Sequence, residues 1–389
     1  MKRSIRLLFT IVVCGSLILS TTGCWNRREL DTLGILLGIG IDKAGDTGKV
    51  RLTAQIVKVG ELKSPEQNSG SGEGKSSLNI ESSGDTIFEA VRGFTHESSR
   101  KVYFPHNQII IFGRDVASEG VRKYVDFFVR DPETRLNVFV LVSKAAAKEP
   151  FGVKPQFEKT SAMDIASLLQ NQAATSQTSV IKMKDFLACL LSKTTSPVAP
   201  IVEVVEQGDK QSVYISGTAV FKKDKLVGEL GKDETRGLLW VNDKVKSGII
   251  KVKCPSGPEN VSLEIIHAGS KVTPEIKDKK VYFKIKVKEK GNIGDQECFE
   301  DLALPSAMQA LEKEEAEVIR GEIMSAFKKA KELNADIFGF GEMLHQRYPK
   351  QWKSMEKDWD DIFQTIELQV SVETRLELTG QINRPVSPE

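Results

Sequence analysis

The sequence predicts an α+β protein of three unequal units: an N-terminal mixed sheet with helices, a small middle domain, and a C-terminal antiparallel sheet packed by a long helix. Three observations carry this reading. Short apolar runs that suit buried strands alternate with one-sided helical stripes between Leu33 and Val142. In the last third, strict alternation of apolar and polar residues recurs at Val261, Leu263 and Ile265, at Val281, Phe283, Ile285 and Val287, and at Ile366, Leu368, Val370 and Val372. Between those strands, Ala316, Ile319, Ile323, Phe327 and Ala330 recur at helical spacing among Glu, Lys and Arg, downstream of Pro305 where a helix can start.

The chain opens on Lys2, Arg3 and Arg6, an apolar stretch over residues 7–19, and the small run Ser20-Thr21-Thr22-Gly23 before Cys24. That layout is a signal peptide, and its apolar core is too short to cross a bilayer of about 30 Å. The turn before Cys24 looks like a bacterial lipobox, in which the cysteine takes a diacylglyceryl group and becomes the new N-terminus; an ordinary cleaved signal is the simpler alternative. Acyl chains, palmitate among them, hold a domain at a membrane surface by about 0.8 kcal/mol per buried methylene. Trp25, Arg27 and Arg28 follow the anchor, where an aromatic ring and cationic heads suit the headgroup layer, a partner, or a simple tether. No later run approaches 18 apolar residues, so no downstream span is expected.

From there the elements follow in order. Residues 33–42 form a short apolar run for a buried strand, a Gly-containing turn follows, and Val50, Leu52, Ala54 and Ile56 alternate on the return strand. Residues 64–77 are Ser/Gly-rich and read as a loop. Thr86 can cap a helix with Glu89 at capping-box spacing, presenting Ile87, Ala90, Val91 and Phe94 on one face. Ile109-Ile110-Ile111-Phe112 is a further strand, Val121, Tyr124, Val125 and Phe128 a second helix stripe, and residues 136–142 another strand. Helices around 162–171 and 183–192 close the first unit, and Pro197 and Pro200 mark its end. A strand over 213–222, a turn, a strand over 226–229 and a segment with Trp240 make the middle unit, with 254–258 as a linker. The expected boundaries are therefore a cleaved signal at 1–23 and units at 24–202, 203–258 and 259–389.

Composition excludes several classes. The formal charge of +2 includes the three cations of the signal, so the mature chain sits near −1, unlike a general nucleic-acid binder. Of five cysteines, Cys14 leaves with the signal and Cys24 is acylated. Cys189, in the apolar run 186–191, reads as a small buried hydrophobe, and Cys254 and Cys298 are candidates for one disulfide, which geometry must decide. Gly70-Ser71-Gly72-Glu73-Gly74-Lys75-Ser76 imitates a phosphate loop without its flanking strand and helix, and Gly38-Ile39-Gly40 lacks the third glycine of a dinucleotide fingerprint. His96, His106, His267 and His345 are scattered, away from metal-ligand spacing. The sequence offers no catalytic, cofactor-binding or metal-binding constellation, and no cofactor is expected.

The segment Gly23-Cys24-Trp25-Asn26-Arg27-Arg28-Glu29-Leu30, with Leu33-Gly34-Ile35 and Gly40-Ile41-Asp42, resembles the C-subunit lipoprotein family of bacterial spore germinant receptors, often written Ger(x)C. The likeness continues in the aromatic-His-x-Gln stretch Tyr103–Gln108, in the charged motif Arg130-Asp131-Pro132-Glu133-Thr134-Arg135, in Ser216–Lys222, in Asp336-Ile337-Phe338-Gly339-Phe340-Gly341 and in Tyr348–Trp352. It implies a non-enzymatic, lipid-anchored subunit on the outer face of the spore inner membrane, acting with integral-membrane A and B subunits to trigger germination by nutrients. Arg130 and Asp131 are expected either to end a helix in a salt-bridged turn or to meet the membrane or a partner; direct germinant binding by this subunit is neither implied nor excluded. The competing readings are a solute-binding lipoprotein of a nutrient uptake system, which needs two similar lobes around a cleft, and an envelope hydrolase, which needs converging carboxylates.

Overall fold

The computed structural model describes residues 3–11, 32–57, 76–208, 210–278 and 280–378. Residues 3–11 are helical, with Ile5, Leu7, Leu8 and Phe9 exposed. The phosphate-loop imitation lies outside the described residues except for Ser76.

Two sheets organise the molecule, giving the mixed α+β architecture expected. The first has nine strands: β1 (Leu33–Lys43), β2 (Val50–Val57), β3 (Ser77–Gly84), β4 (Lys101–Tyr103), β5 (Ile109–Phe112), β6 (Phe139–Ser143), β7 (Val198–Gln207), β8 (Lys210–Lys222) and β9 (Lys225–Leu230). Their order is β3-β2-β1-β5-β6-β7-β8-β9, with the short β4 also on β1. β1, β4, β5, β6 and β7 run parallel where they pair, and hairpins extend both ends antiparallel. Parallel pairs need crossovers that cover the sheet, so the central strands β1, β5 and β6 are buried on both faces and almost wholly apolar.

Within β5, Ile110 and Phe112 turn toward α1 (Ile87–Gly93), α2 (Arg114–Glu119) and α3 (Arg122–Arg130), whereas Ile109 and Ile111 belong to the opposite core. That opposite face is covered by α4 (Glu149–Gly152) and α5 (Ser161–Asn171). α6 (Met183–Leu191) returns to the first face through Phe186 and Leu190. Thr86 caps α1 by accepting the Glu89 N–H at 3.1 Å, but the Glu89 carboxylate reaches one residue beyond the expected box, to the N–H of Asp85 at 2.6 Å.

The second sheet, in order β10-β11-β12-β13, comprises β10 (Gly248–Lys253), β11 (Asn260–Lys277), β12 (Lys280–Gln296) and β13 (Glu367–Leu378). The first three are antiparallel, and β13 runs parallel to β12 because a helical crossover joins them. That crossover is α8 (Pro305–Glu332), α9 (Phe340–Arg347), α10 (Pro349–Met355) and α11 (Trp359–Thr365); α7 (Lys232–Val241) packs on α8 from the other side. One face of this sheet carries the core and the other meets water, where Lys286 and Lys288 pair with Glu373, and Lys290 pairs with Glu377.

Residues 203–258 contribute to both sheets: β8 and β9 lengthen the first, while α7 and β10 join the second core. Pro200 sits inside β7 next to a register shift, a position that tolerates its missing N–H. Cys254–Pro258, expected as a linker, is the hairpin turn between β10 and β11, because Val252 pairs with Val261 and the Cys254 N–H bonds the Glu259 carbonyl at 2.9 Å. Cys254 and Cys298 form a disulfide with Cα atoms 6.5 Å apart, tying that turn to the segment before α8.

One buried ion pair fixes α7 to α8. The Arg236 Nε donates to both Glu322 oxygens at 3.0 and 2.9 Å, Nη2 donates to the same carboxylate, and Nη1 donates to the Ile249 carbonyl at 2.8 Å. Trp240 Nε1 adds a bond to Glu322 at 2.9 Å. Every strong acceptor position of this buried carboxylate is thereby engaged.

Candidate functional site

Parallel pairing gathers the starts of β1, β4, β5 and β6 at one pole of the first sheet: Leu33 lies beside Lys101, Gly38 beside Ile109, and Ile109 beside Phe139. The Arg130–Arg135 motif lies at this pole. α3 ends there because Pro132 keeps Asp131 extended, at φ −76° and ψ 120°, while the Asp131 N–H still bonds the Phe127 carbonyl. The Asp131 carboxylate accepts the Glu133 N–H at 2.7 Å, and the Thr134 hydroxyl donates to the carbonyls of Phe128 and Asp131 at 2.5 and 2.9 Å.

The turn is fastened on both sides. Lys101 reaches Glu133 at 2.9 Å, and the Leu136 and Val138 carbonyls accept N–H groups of Lys184 and Met183 at 3.0 and 2.8 Å. Asp131 is therefore spent on the turn itself. Arg130 pairs with Asp126 one helical turn back at 2.6 Å, yet its side chain stays 77% exposed, so its head is available to a surface outside the chain. Cys24, Trp25, Arg27 and Arg28 lie outside the described residues. Seven residues lie between Cys24 and Thr32, so the two are at most about 28 Å apart along an extended chain.

The Tyr103–Gln108 stretch forms the neighbouring wall. Phe104–His106 makes a short 3-10 turn with Pro105 in its first turn, and the Gln108 backbone bridges the Leu37 carbonyl to the Phe139 N–H, each at 2.9 Å. His106 stacks loosely on Tyr103 with ring centres 5.8 Å apart, and it is exposed. Asp42, at the opposite end of β1, is buried, and its carboxylate accepts the N–H groups of Ala147 and Lys148 at 2.7 and 3.1 Å; burial pushes its pKa up despite those bonds.

A second family-like motif turns out to be a joint between the two sheets. Asp336, fully buried, accepts the N–H groups of Phe340 and Gly341 at 3.0 and 2.8 Å, which caps α9, and burial raises its carboxyl to about 6. Its own carbonyl accepts the Ser196 N–H at 2.8 Å, and Thr195 bridges to it in parallel. Gly339 adopts φ +73°, and the rings of Phe338, Phe340 and Phe283 stack with centres 4.9 and 4.0 Å apart. The motif thus starts a capped helix on packed rings, and its contact with residues 194–196 has no local signal in sequence.

Beside this joint lies a cleft of about 520 Å³, lined by Cys189, Leu191 and Thr194 from the first unit and by His345, Trp352 and Glu356 from the second. Cys189, expected as a buried hydrophobe, is instead half-buried on this cleft, because the helix turns its Phe186–Leu190 stripe inward and leaves position 189 at the edge. Burial raises the pKa of its thiol. Among the described residues, no three His, Cys, Asp or Glu side chains converge as a metal site, and no helix is long and apolar enough to cross a membrane.

Comparison with known proteins places these features in a family. Residues 26–204 match the family described as spore germination protein N-terminal domain, and residues 216–380 match spore germination B3/GerAC like, C-terminal. The chain is 28% identical to spore germination protein KC of Bacillus subtilis (strain 168), covering 94% of each, and 26% identical to spore germination protein YndF of the same organism, covering 96% of each. A crystal structure of the GerBC protein shares the fold, with a TM-score of 0.56 and 20% identity over 87% of this chain and 96% of that one. With both halves matched and full-length relatives alike, the chain belongs to the Ger(x)C family of spore germinant receptor C subunits.

Proposed function

We propose that this protein is a lipid-anchored, non-catalytic subunit of a nutrient germinant receptor, which helps trigger spore germination by assembling with integral-membrane A and B subunits. The observation that carries the reading is Cys24 at the end of a signal-peptide-like segment, eight positions before Thr32, which leads into the first sheet. An anchor there confines Thr32, where the first sheet begins, to within about 28 Å of the acylated residue. Confinement raises the effective concentration of any membrane partner, so modest contacts suffice for assembly. Trp25, Arg27 and Arg28 then lie in reach of headgroups or of a partner, and Arg130 offers a cation to the same region.

The unlike sheets support this reading over a solute-binding lipoprotein, since nine strands on one side and four on the other do not make a symmetric two-lobed clamp. A Cys24→Ala chain should be lost from spore membranes and should abolish the germination response that depends on it. Mass spectrometry of the mature protein checks the first step by reporting the acylated N-terminus. Normal germination with a soluble, unacylated chain would overturn the proposal.

A further inference from the structure

Glu289 on β12 and Glu315 on α8 meet inside the second core, 2% and 0% exposed. They lie within hydrogen-bonding reach of each other, and none of their four carboxylate oxygens finds a donor among the described residues. A buried carboxylate without a donor is costly, and two of them side by side are costlier, whereas one shared proton supplies a hydrogen bond and removes a charge.

Among the described residues, the surroundings offer no cation to replace that proton. Across the sheet, Glu289 shares its row with Ala268 of β11 and Thr374 of β13. The flanking rows are Ser270, Val287 and Val372 on one side and Ile265, Gly291 and Leu376 on the other. Lys288 and Lys290 are turned to the outer face, where they pair with Glu373 and Glu377, and His267 is exposed. α8 brings a third carboxylate, Glu312, whose Oε1 accepts the Leu376 N–H at 3.0 Å. After α7, the exposed Asp243 accepts the Ser270 N–H at 2.8 Å. Arg236 is committed to Glu322, seven residues further along α8, a rise of about 10 Å.

We propose that the Glu289–Glu315 pair is a proton-sensitive joint between the long helix and the second sheet. With one proton shared, it holds the first half of α8 against β12 and β13; when that proton leaves to water, the two like charges drive this half of the helix off the sheet. The second half stays down, held by Arg236 on Glu322 and by the packing of Phe327 with Phe338, Phe340 and Phe363.

Burial, and then the neighbouring Glu315 charge, raise Glu289 to about 9. Burial and Glu312 raise Glu315 to about 7 against the hydrogen bond from Glu289. Both carboxyls hold protons more tightly folded than unfolded. Their contribution is therefore complete below the ordinary carboxylate range and is lost as pH rises through about 7 to 9.

Hydrogen exchange read by mass spectrometry on the whole mature chain tests this at about pH 6 and about pH 9, with intrinsic rates corrected for hydroxide catalysis. Protection over the first half of α8 should fall about tenfold or more, given tenfold per unit of pKa separation, while the second half keeps its protection. The double variant Glu289→Gln with Glu315→Gln should remove that dependence. Equal protection at both values in the wild-type chain, or the same fall in the double variant, overturns the proposal. Infrared spectroscopy of the wild-type chain gives an arm that needs no variant: a protonated-carboxyl band must persist at neutral pH and vanish as the helix loosens, and its absence at neutral pH also overturns the joint.

Discussion

At Gly38 and Gly40 the side chain is a hydrogen because α4 and α5 lie directly on β1. A Cβ on Gly38 would sit 2.6 Å from the Phe151 ring and 2.9 Å from Ala162, and one on Gly40 would sit 3.1 Å from the Ala147 carbonyl. Overpacking of this kind costs about 1–3 kcal/mol, so Gly38→Val should lower the unfolding free energy by that amount, read in urea as a lower midpoint with an unchanged denaturant slope. The sequence showed Gly-Ile-Gly in an apolar run and supported a close-packed strand over a nucleotide loop; only the structure says what packs there. Cys189 shows the reverse. Its apolar neighbours were legible, but which of six consecutive small or apolar residues sits at a helix edge depends on where the sheet lies.

Along α8 the same division holds at the scale of an element. Its stripe at Ala316, Ile319, Ile323, Phe327 and Ala330 was legible as helical period; the last four side chains are buried and Ala316 is half-buried. Glu315 and Glu322 ride on that buried face too, and in sequence they look like any other Glu of the helix. Glu322 carries the Arg236 fork and the Trp240 N–H, so Glu322→Gln should cost about 3–5 kcal/mol by leaving a buried guanidinium uncompensated. Replacing both partners, Arg236→Met with Glu322→Leu, should recover most of that loss, and chemical denaturation of the single and paired variants measures the difference. β13 makes a related point. Its alternation was visible, whereas its direction was set by the crossover through α8 to α11, since alternation is identical in parallel and antiparallel strands.

For the molecule as a whole, the joint at Asp336–Gly341 decides how two cores act together. Gly341 packs against Thr194 so closely that a Cβ would sit 2.6 Å from the Thr194 Cβ, and Lys193 pairs with Glu356 across the same seam at 2.9 Å. Gly341→Ala should push residues 194–196 away from Asp336 and weaken the coupling of the two sheets. Calorimetry should then resolve two unfolding transitions in the variant and a single one in the wild-type chain. A single transition in the variant would mean that the shared core contacts of Val198, Val220 and Leu230 hold the units together without the joint.

By itself the sequence determined what local physics fixes: the α+β class, most strands and helix stripes, the turn at Pro132, and the family. Each is a matter of residue type at short spacing. Tertiary structure alone decided the gathering of strand starts beside the Arg130–Arg135 turn, the seam between Ser196 and Asp336, the Arg236–Glu322 pair and the buried Glu289–Glu315 pair. These join residues far apart in the chain, and their energies come from burial that no short window of sequence records.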